Sequence, residues 1–185
     1  MAEIAILRQS RAREEAIGTA TLDFDAAVRQ HQGMVYSLAL HFLRDHAVAE
    51  ELAQEVFLEL HRHRGQIQSD AHLAHWLRKV TSRRCIDQSR RRKVRAQVAL
   101  EDTAELPAWA PAGGDPTLKR YVEQLLQKLD EGPRMVVILR YQEDLQPSEI
   151  AELLDMPVGT VKSQLHRALA LLREKMARLP GGGGA

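Results

Sequence analysis

Two groups of side chains in this sequence have the types and spacing to handle nucleic acid. The first is cationic. Between Arg78 and Arg95 there are nine Arg or Lys residues against one acid, Asp87, so that window carries +8. The whole chain is only +1, which leaves −7 on the remainder. Basic charge gathered on one segment of a near-neutral chain points to a polyanion held by that segment, not to a generally sticky basic protein. The second group is Thr160, Lys162, Ser163 and Gln164, with His166 and Arg167 further along. Short polar donors and cations at the start of a helix suit a helix that enters the major groove by its N-terminus. Periodicity alone equally allows an ordinary helical hairpin with a solvated face.

Other chemistries find little material. The close histidine pairs are His61 with His63 and His72 with His75, and no nearby acid or cysteine completes a three- or four-ligand set. They read as solvated or capping residues, and no metal or cofactor is expected. The single cysteine, Cys85, excludes an internal disulfide framework and a cysteine-based zinc site. Its cationic neighbours could lower its pKa, although a packing role is the simpler reading. There is no nucleophile–base pair or phosphate loop, so no enzyme is expected. No apolar run is long enough to span a bilayer. The charged start MAEIAILRQSRAREEA lacks a secretory core, which places the chain in the cytoplasm.

The elements that must carry these groups are all helical. Phe24 to Leu43 reads as an amphipathic helix with Phe24, Val28, Val35, Leu38 and Phe42 inward, and Arg44-Asp45-His46 as a corner. Ala47 to His63 follows, with Val48, Leu52, Val56 and Leu60 inward, an acidic exposed side, and Gly65 as a stop. A third helix, from about Ala71 to Lys93, is apolar in its first half (Leu73, Trp76, Leu77, Val80) and basic in its second. Pro116 to Leu129 and Pro133 to Tyr141 give two more. Ser148 is the predicted cap of a helix with Ile150, Ala151 and Leu154 inward, stopped at Asp155-Met156-Pro157. The last helix has Val161, Leu165, Ala168 and Leu172 inward. The fold class is therefore all-α: an extension over 1–21, a helical domain over 22–95, an acidic Pro/Gly-bearing linker over 96–115, a second helical domain with a helix-turn-helix over 116–179, and a flexible tail over 180–185.

In that order these features resemble the extracytoplasmic-function (ECF) group of bacterial RNA polymerase sigma factors over roughly 22–178. Three motifs carry the resemblance. Glu51-Leu52-Ala53-Gln54-Glu55-Val56-Phe57 is similar to the region 2 motif. Trp76-Leu77, then Ile86-Asp87 and Arg90-Arg91-Arg92-Lys93, are similar to the promoter-melting helix. Pro157 to Ser163, continuing through Leu165-His166-Arg167-Ala168, resembles the region 4 recognition helix.

The resemblance implies a subunit that binds core RNA polymerase and directs promoter-specific initiation without catalysis. Glu51, Gln54 and Glu55 would dock on the clamp helices of the largest polymerase subunit. Arg83, Arg84, Arg90, Arg91, Arg92 and Lys93 would hold the separated strands at the minus-ten element. Thr160, Lys162, Ser163 and Gln164 would read the minus-thirty-five element, with Arg167 on a phosphate. The linker would thread toward the RNA exit path or serve as a plain tether. Arg83 stands where many members carry Asn, Gln164 and Leu169 where basic residues are common, and Asp155 where the turn often has Gly. A cognate anti-sigma factor is a further partner the resemblance suggests. Two readings stand beside it: a stand-alone helix-turn-helix regulator, and an interaction protein docked on a regulator.

Overall fold

Local chemistry sets the helix ends in the computed structural model, which describes residues 22–98 and 116–177. The expectations for 1–21, for the linker beyond residue 98 and for the tail lie outside the described residues. The Asp23 carboxylate accepts the Ala26 N–H at 3.0 Å and starts α1 (Phe24–Leu43). Arg44 ends it in a left-handed conformation (φ 58°), its N–H donating to Leu40 O. Asp45 immediately caps α2 (His46–His63) by accepting from Val48 N at 3.0 Å. Caps of this kind stabilise a helix by about 1 kcal/mol each, so this corner forms as expected.

A 3-10 turn, Arg64–Gln66, leads to α3 (Asp70–Val98). This helix runs further than its predicted end and takes the first residues assigned to the linker. Neither Gly nor Pro occurs between Lys93 and Val98 to stop it. The second half comprises α4 (Pro116–Gln127), α5 (Glu131–Tyr141), α6 (Pro147–Leu154) and α7 (Val158–Ala177). The cap of α6 differs from expectation. Gln146, not Ser148, occupies the cap position, and the Glu149 carboxylate accepts its N–H at 2.6 Å with Pro147 as first helical residue. Proline preset for the first turn moves the start two residues earlier than the Ser-cap pattern suggests. Asp155 ends α6 in the left-handed region (φ 53°), a conformation Asp tolerates. No strand occurs among the described residues.

Val35, Leu38, Phe42, Val56, Leu60 and Leu77 are fully buried in the first half, and Met135, Val136, Leu139, Ile150 and Val161 in the second. Leu153 is buried where the sequence pointed to Leu154, which is half-buried. Fully burying such a side chain contributes about 1.5–3 kcal/mol. The two sets join into one continuous core. In α5 six consecutive residues, Arg134 to Leu139, are buried. A helix covered on one face shows periodic exposure; consecutive burial needs neighbours all round. They are α6 and α7 on one side and α1 and α3 on the other. The two helical halves therefore dock on each other, an arrangement the two-domain sequence pattern did not announce.

Candidate nucleic-acid and polymerase interfaces

The basic half of α3 divides its cations between solvent and ion pairs. Arg90 and Arg91 are exposed and have no ion-pair partner among the described residues. The other four predicted contacts are all paired. Arg83 donates to Asp155, and Arg84 reaches Glu55 and, at 2.5 Å, Glu59. Arg92 lies 2.7 Å from Asp45 and Lys93 2.7 Å from Glu131. Hydrogen bonds from Lys79 and then Arg83 hold the Asp155 carboxyl below the usual carboxylate range. Lys93 does the same for Glu131. For Asp45 the Val48 N–H is the larger cause and Arg92 the second.

The polymerase set lies on the outer side of α2, where Glu51, Gln54 and Glu55 are all exposed. Glu55 faces Arg84 across a polar groove of about 550 Å³ that Glu51, Glu59, Asp87 and Arg91 also line. Residues predicted for different partners thus meet at one place. Sequence reasoning missed an apolar cleft of about 980 Å³ beside Gln54, lined by Phe24, Val28, Tyr36, Phe57 and the exposed Leu58. Leu58 breaks the i+4 apolar pattern of α2, and that break was the available signal.

On α7, Lys162, Ser163 and Arg167 are exposed and Thr160 is half-buried. The Ser163 hydroxyl donates to Thr160 O at 2.9 Å, and Arg167 Nε donates to Ser163 O at 3.3 Å. Gln164, the remaining member of the predicted reading set, is half-buried. Its side-chain oxygen is buried without a hydrogen-bond partner, and its amide packs toward Gly132 of α5. An uncharged amide can turn inward in this way over a glycine, which has no side chain in the path.

With this geometry in view, comparison with known proteins is direct. The family model of Sigma-70 region 2 matches residues 27–95, and that of Sigma-70 region 4 matches residues 119–172. RNA polymerase sigma factor CarQ of Myxococcus xanthus is 31% identical over 157 residues, covering 84% of this chain and 90% of that protein. ECF RNA polymerase sigma factor SigE of Mycolicibacterium smegmatis is 31% identical over 180 residues, covering 89% of this chain and 70% of that protein. The chain belongs to the ECF family of RNA polymerase sigma factors. Members of this family are regulatory rather than catalytic: they bind RNA polymerase and direct promoter-specific transcription. The solved structure of the sigma factor RpoE in complex with the anti-sigma factor NepR from Bartonella quintana shares the fold, with a TM-score of 0.72 at 21% identity, covering 84% of this chain and 98% of that one.

Several other residues of the first half make contacts within the chain. Trp76 is half-buried with its ring 6.0 Å from His63, and His61 meets Phe24 edge-on at 5.1 Å. His72 Nδ1 accepts the Gln68 N–H at 3.4 Å. Cys85 is fully buried, and burial pushes its thiol pKa up, outweighing the cationic neighbours of the sequence. Among the described residues no group of three His, Cys, Asp or Glu is placed to hold a metal, and no helix is long and apolar enough to cross a membrane.

Proposed function

We propose that residues 22–95 act as region 2 and residues 116–179 as region 4 of this sigma factor, with distinct contacts on each. Glu51, Gln54 and Glu55 dock on the clamp helices of the largest polymerase subunit. Arg90 and Arg91 take phosphates of the separated minus-ten strand, joined by Arg83, Arg84, Arg92 and Lys93 once their carboxylate partners let go. Thr160, Lys162 and Ser163 read the minus-thirty-five element and Arg167 takes a phosphate there. Gln164 has no part in reading. The observation that carries this reading is the exposure of Arg90 and Arg91, unpaired, on a helix otherwise rich in ion pairs. Cations left without a carboxylate on a structured helix are poised for an external anion.

The sigma factor itself catalyses no reaction; bond-making belongs to the polymerase, and the protein acts in the cytoplasm beside it. Recognition by region 4 rests on few cations, so its salt dependence is shallow. A cognate anti-sigma factor belongs to the same proposal, supported by the RpoE–NepR complex, whose sigma subunit shares this fold. The test is co-elution with sigma-free bacterial core polymerase, followed by run-off transcription on a genomic promoter pool. Stable association with new, specific transcripts is the expected result. Tight duplex binding by the protein alone, without core association, would favour the stand-alone regulator instead.

A further inference from the structure

Phe24, Tyr36, Phe57 and Leu58 line an apolar cleft of about 980 Å³ between α1 and α2. Leu58 is 59% exposed, on a helix whose other large apolar residues are buried or half-buried. On the facing helix Gly33 lines the same cleft, with nothing within 4 Å of where a side chain would begin. Glycine inside a helix costs stability relative to alanine, and no close neighbour requires it here. The wall of α1 is therefore kept low at the helix's expense. An apolar surface held open in this way marks an interaction site.

The chain itself supplies an occupant. Its described part begins at Leu22, which packs on the core, and Phe24 two residues later already lines the cleft. Within residues 1–21, which lead into that point, the stretch 4–13 reads IAILRQSRAR. It combines Ile4, Ile6 and Leu7 with Arg8, Arg11 and Arg13 and holds no acid. The cleft has the complementary character. Its walls are apolar, and at its edge stand the exposed Glu50 and Glu51, neither with an ion-pair partner among the described residues. The three arginines would be repelled by basic α3, which leaves the acidic side of α2 as their counterpart. Reach is sufficient. From Leu7 to Leu22 the chain can span up to about 50 Å, whereas α1, with 20 residues, is about 30 Å long. A tether this short holds the stretch at an effective concentration on the order of 1 mM.

We propose that residues 4–13 seat in the cleft between α1 and α2, with Ile4, Ile6 and Leu7 covering Leu58 and Phe57 and the arginines meeting Glu50 and Glu51. Gln54 lines the same cleft, so the seated stretch covers part of the face assigned to polymerase and lowers affinity for core. That consequence rests on the region assignments above; the seating does not.

Two experiments on the full chain test this, and because Leu58 is exposed, neither disturbs the core. In the first, Leu58→benzoylphenylalanine places a photoreactive group in the cleft, and a mixture of isotopically light and heavy chains is irradiated. Links to residues 4–13 within one copy are the expected result. Links between copies would mean that a second molecule fills the cleft. That outcome, or the absence of any link to residues 4–13, would overturn the proposal.

In the second, Leu58→Cys is alkylated under native conditions, where the buried Cys85 stays silent. Its rate is compared with that of Leu58→Cys/Ile4→Ser/Ile6→Ser/Leu7→Ser. At an intrinsic affinity of about 0.1 mM the tethered stretch is seated roughly nine-tenths of the time, so removing its apolar residues should raise the rate about tenfold. Equal rates would overturn the seating. Ile4→Ser/Ile6→Ser/Leu7→Ser in the otherwise natural chain should also bind core polymerase about tenfold more tightly. Unchanged core affinity beside a raised alkylation rate would overturn the competition. Failure of every form to bind core would instead count against the sigma assignment, leaving the cross-link and thiol readouts unaffected.

Discussion

Arg90 and Arg92 stand two positions apart on α3 and point to different sides of it, which separates their roles. Arg92 reaches back to Asp45, the residue that caps α2, whereas Arg90 faces solvent. Arg90→Ala/Arg91→Ala should therefore leave stability within about 0.5 kcal/mol of wild type in urea unfolding. Asp45→Ala loses a cap as well as an ion pair and should cost about 0.5–2 kcal/mol in the same assay. The Asp45 pKa is depressed in the folded state, so its contribution is present above the ordinary carboxylate pKa and is lost as pH falls through the lower folded value. Lys162→Ala should weaken promoter binding by about 1 kcal/mol or more. Gln164→Ala should leave discrimination at the upstream element unchanged, as measured on promoter variants in holoenzyme. Cys85, buried with a raised thiol pKa, should resist alkylation in the native protein and react at once on denaturation.

Elements follow the sequence wherever one face is apolar and a stop is present. The period of four and three in α1, α2 and α7 gave the helices and their inward residues, and Asp155 took the left-handed turn its small polar side chain allows. The departures have physical causes. Pro147 moved the start of α6, and the lack of a breaker after Lys93 lengthened α3. An inward-turned Gln164 is invisible to a helical wheel, because it depends on a glycine in another helix. The docking of α5 depends on pairs far apart in sequence, such as Arg134 with Phe42, which periodicity does not encode. The candidate site was readable as a set of residue types; which cations were already occupied was not. Burial of Leu139 from all sides makes Leu139→Ala a test of that docking: a loss of about 2–5 kcal/mol is expected in urea unfolding, and a loss below this range would mean that α5 is covered on one face only.

At the scale of the whole molecule, the two helical halves share one core and an ionic rim. The rim should respond to solvent. Lys79 and Arg83 face Asp155, and Lys93 and Ser89 face Glu131. Both carboxyls have depressed pKa values in the folded chain. The contribution of the rim is thus present above the ordinary carboxylate pKa and is lost as pH falls through the depressed values. Raising salt toward about 1 M, where screening acts over about 3 Å, should loosen the same contacts. Permanganate footprinting of unpaired thymines, with wild-type and Arg90→Ala/Arg91→Ala holoenzymes on a promoter the wild type transcribes, tests the role of α3 most directly. Reactive thymines at the minus-ten element with wild type, and far fewer with the variant at unchanged core binding, is the predicted result. Full reactivity in the variant, or equal loss of melting and core binding, would contradict the role of α3.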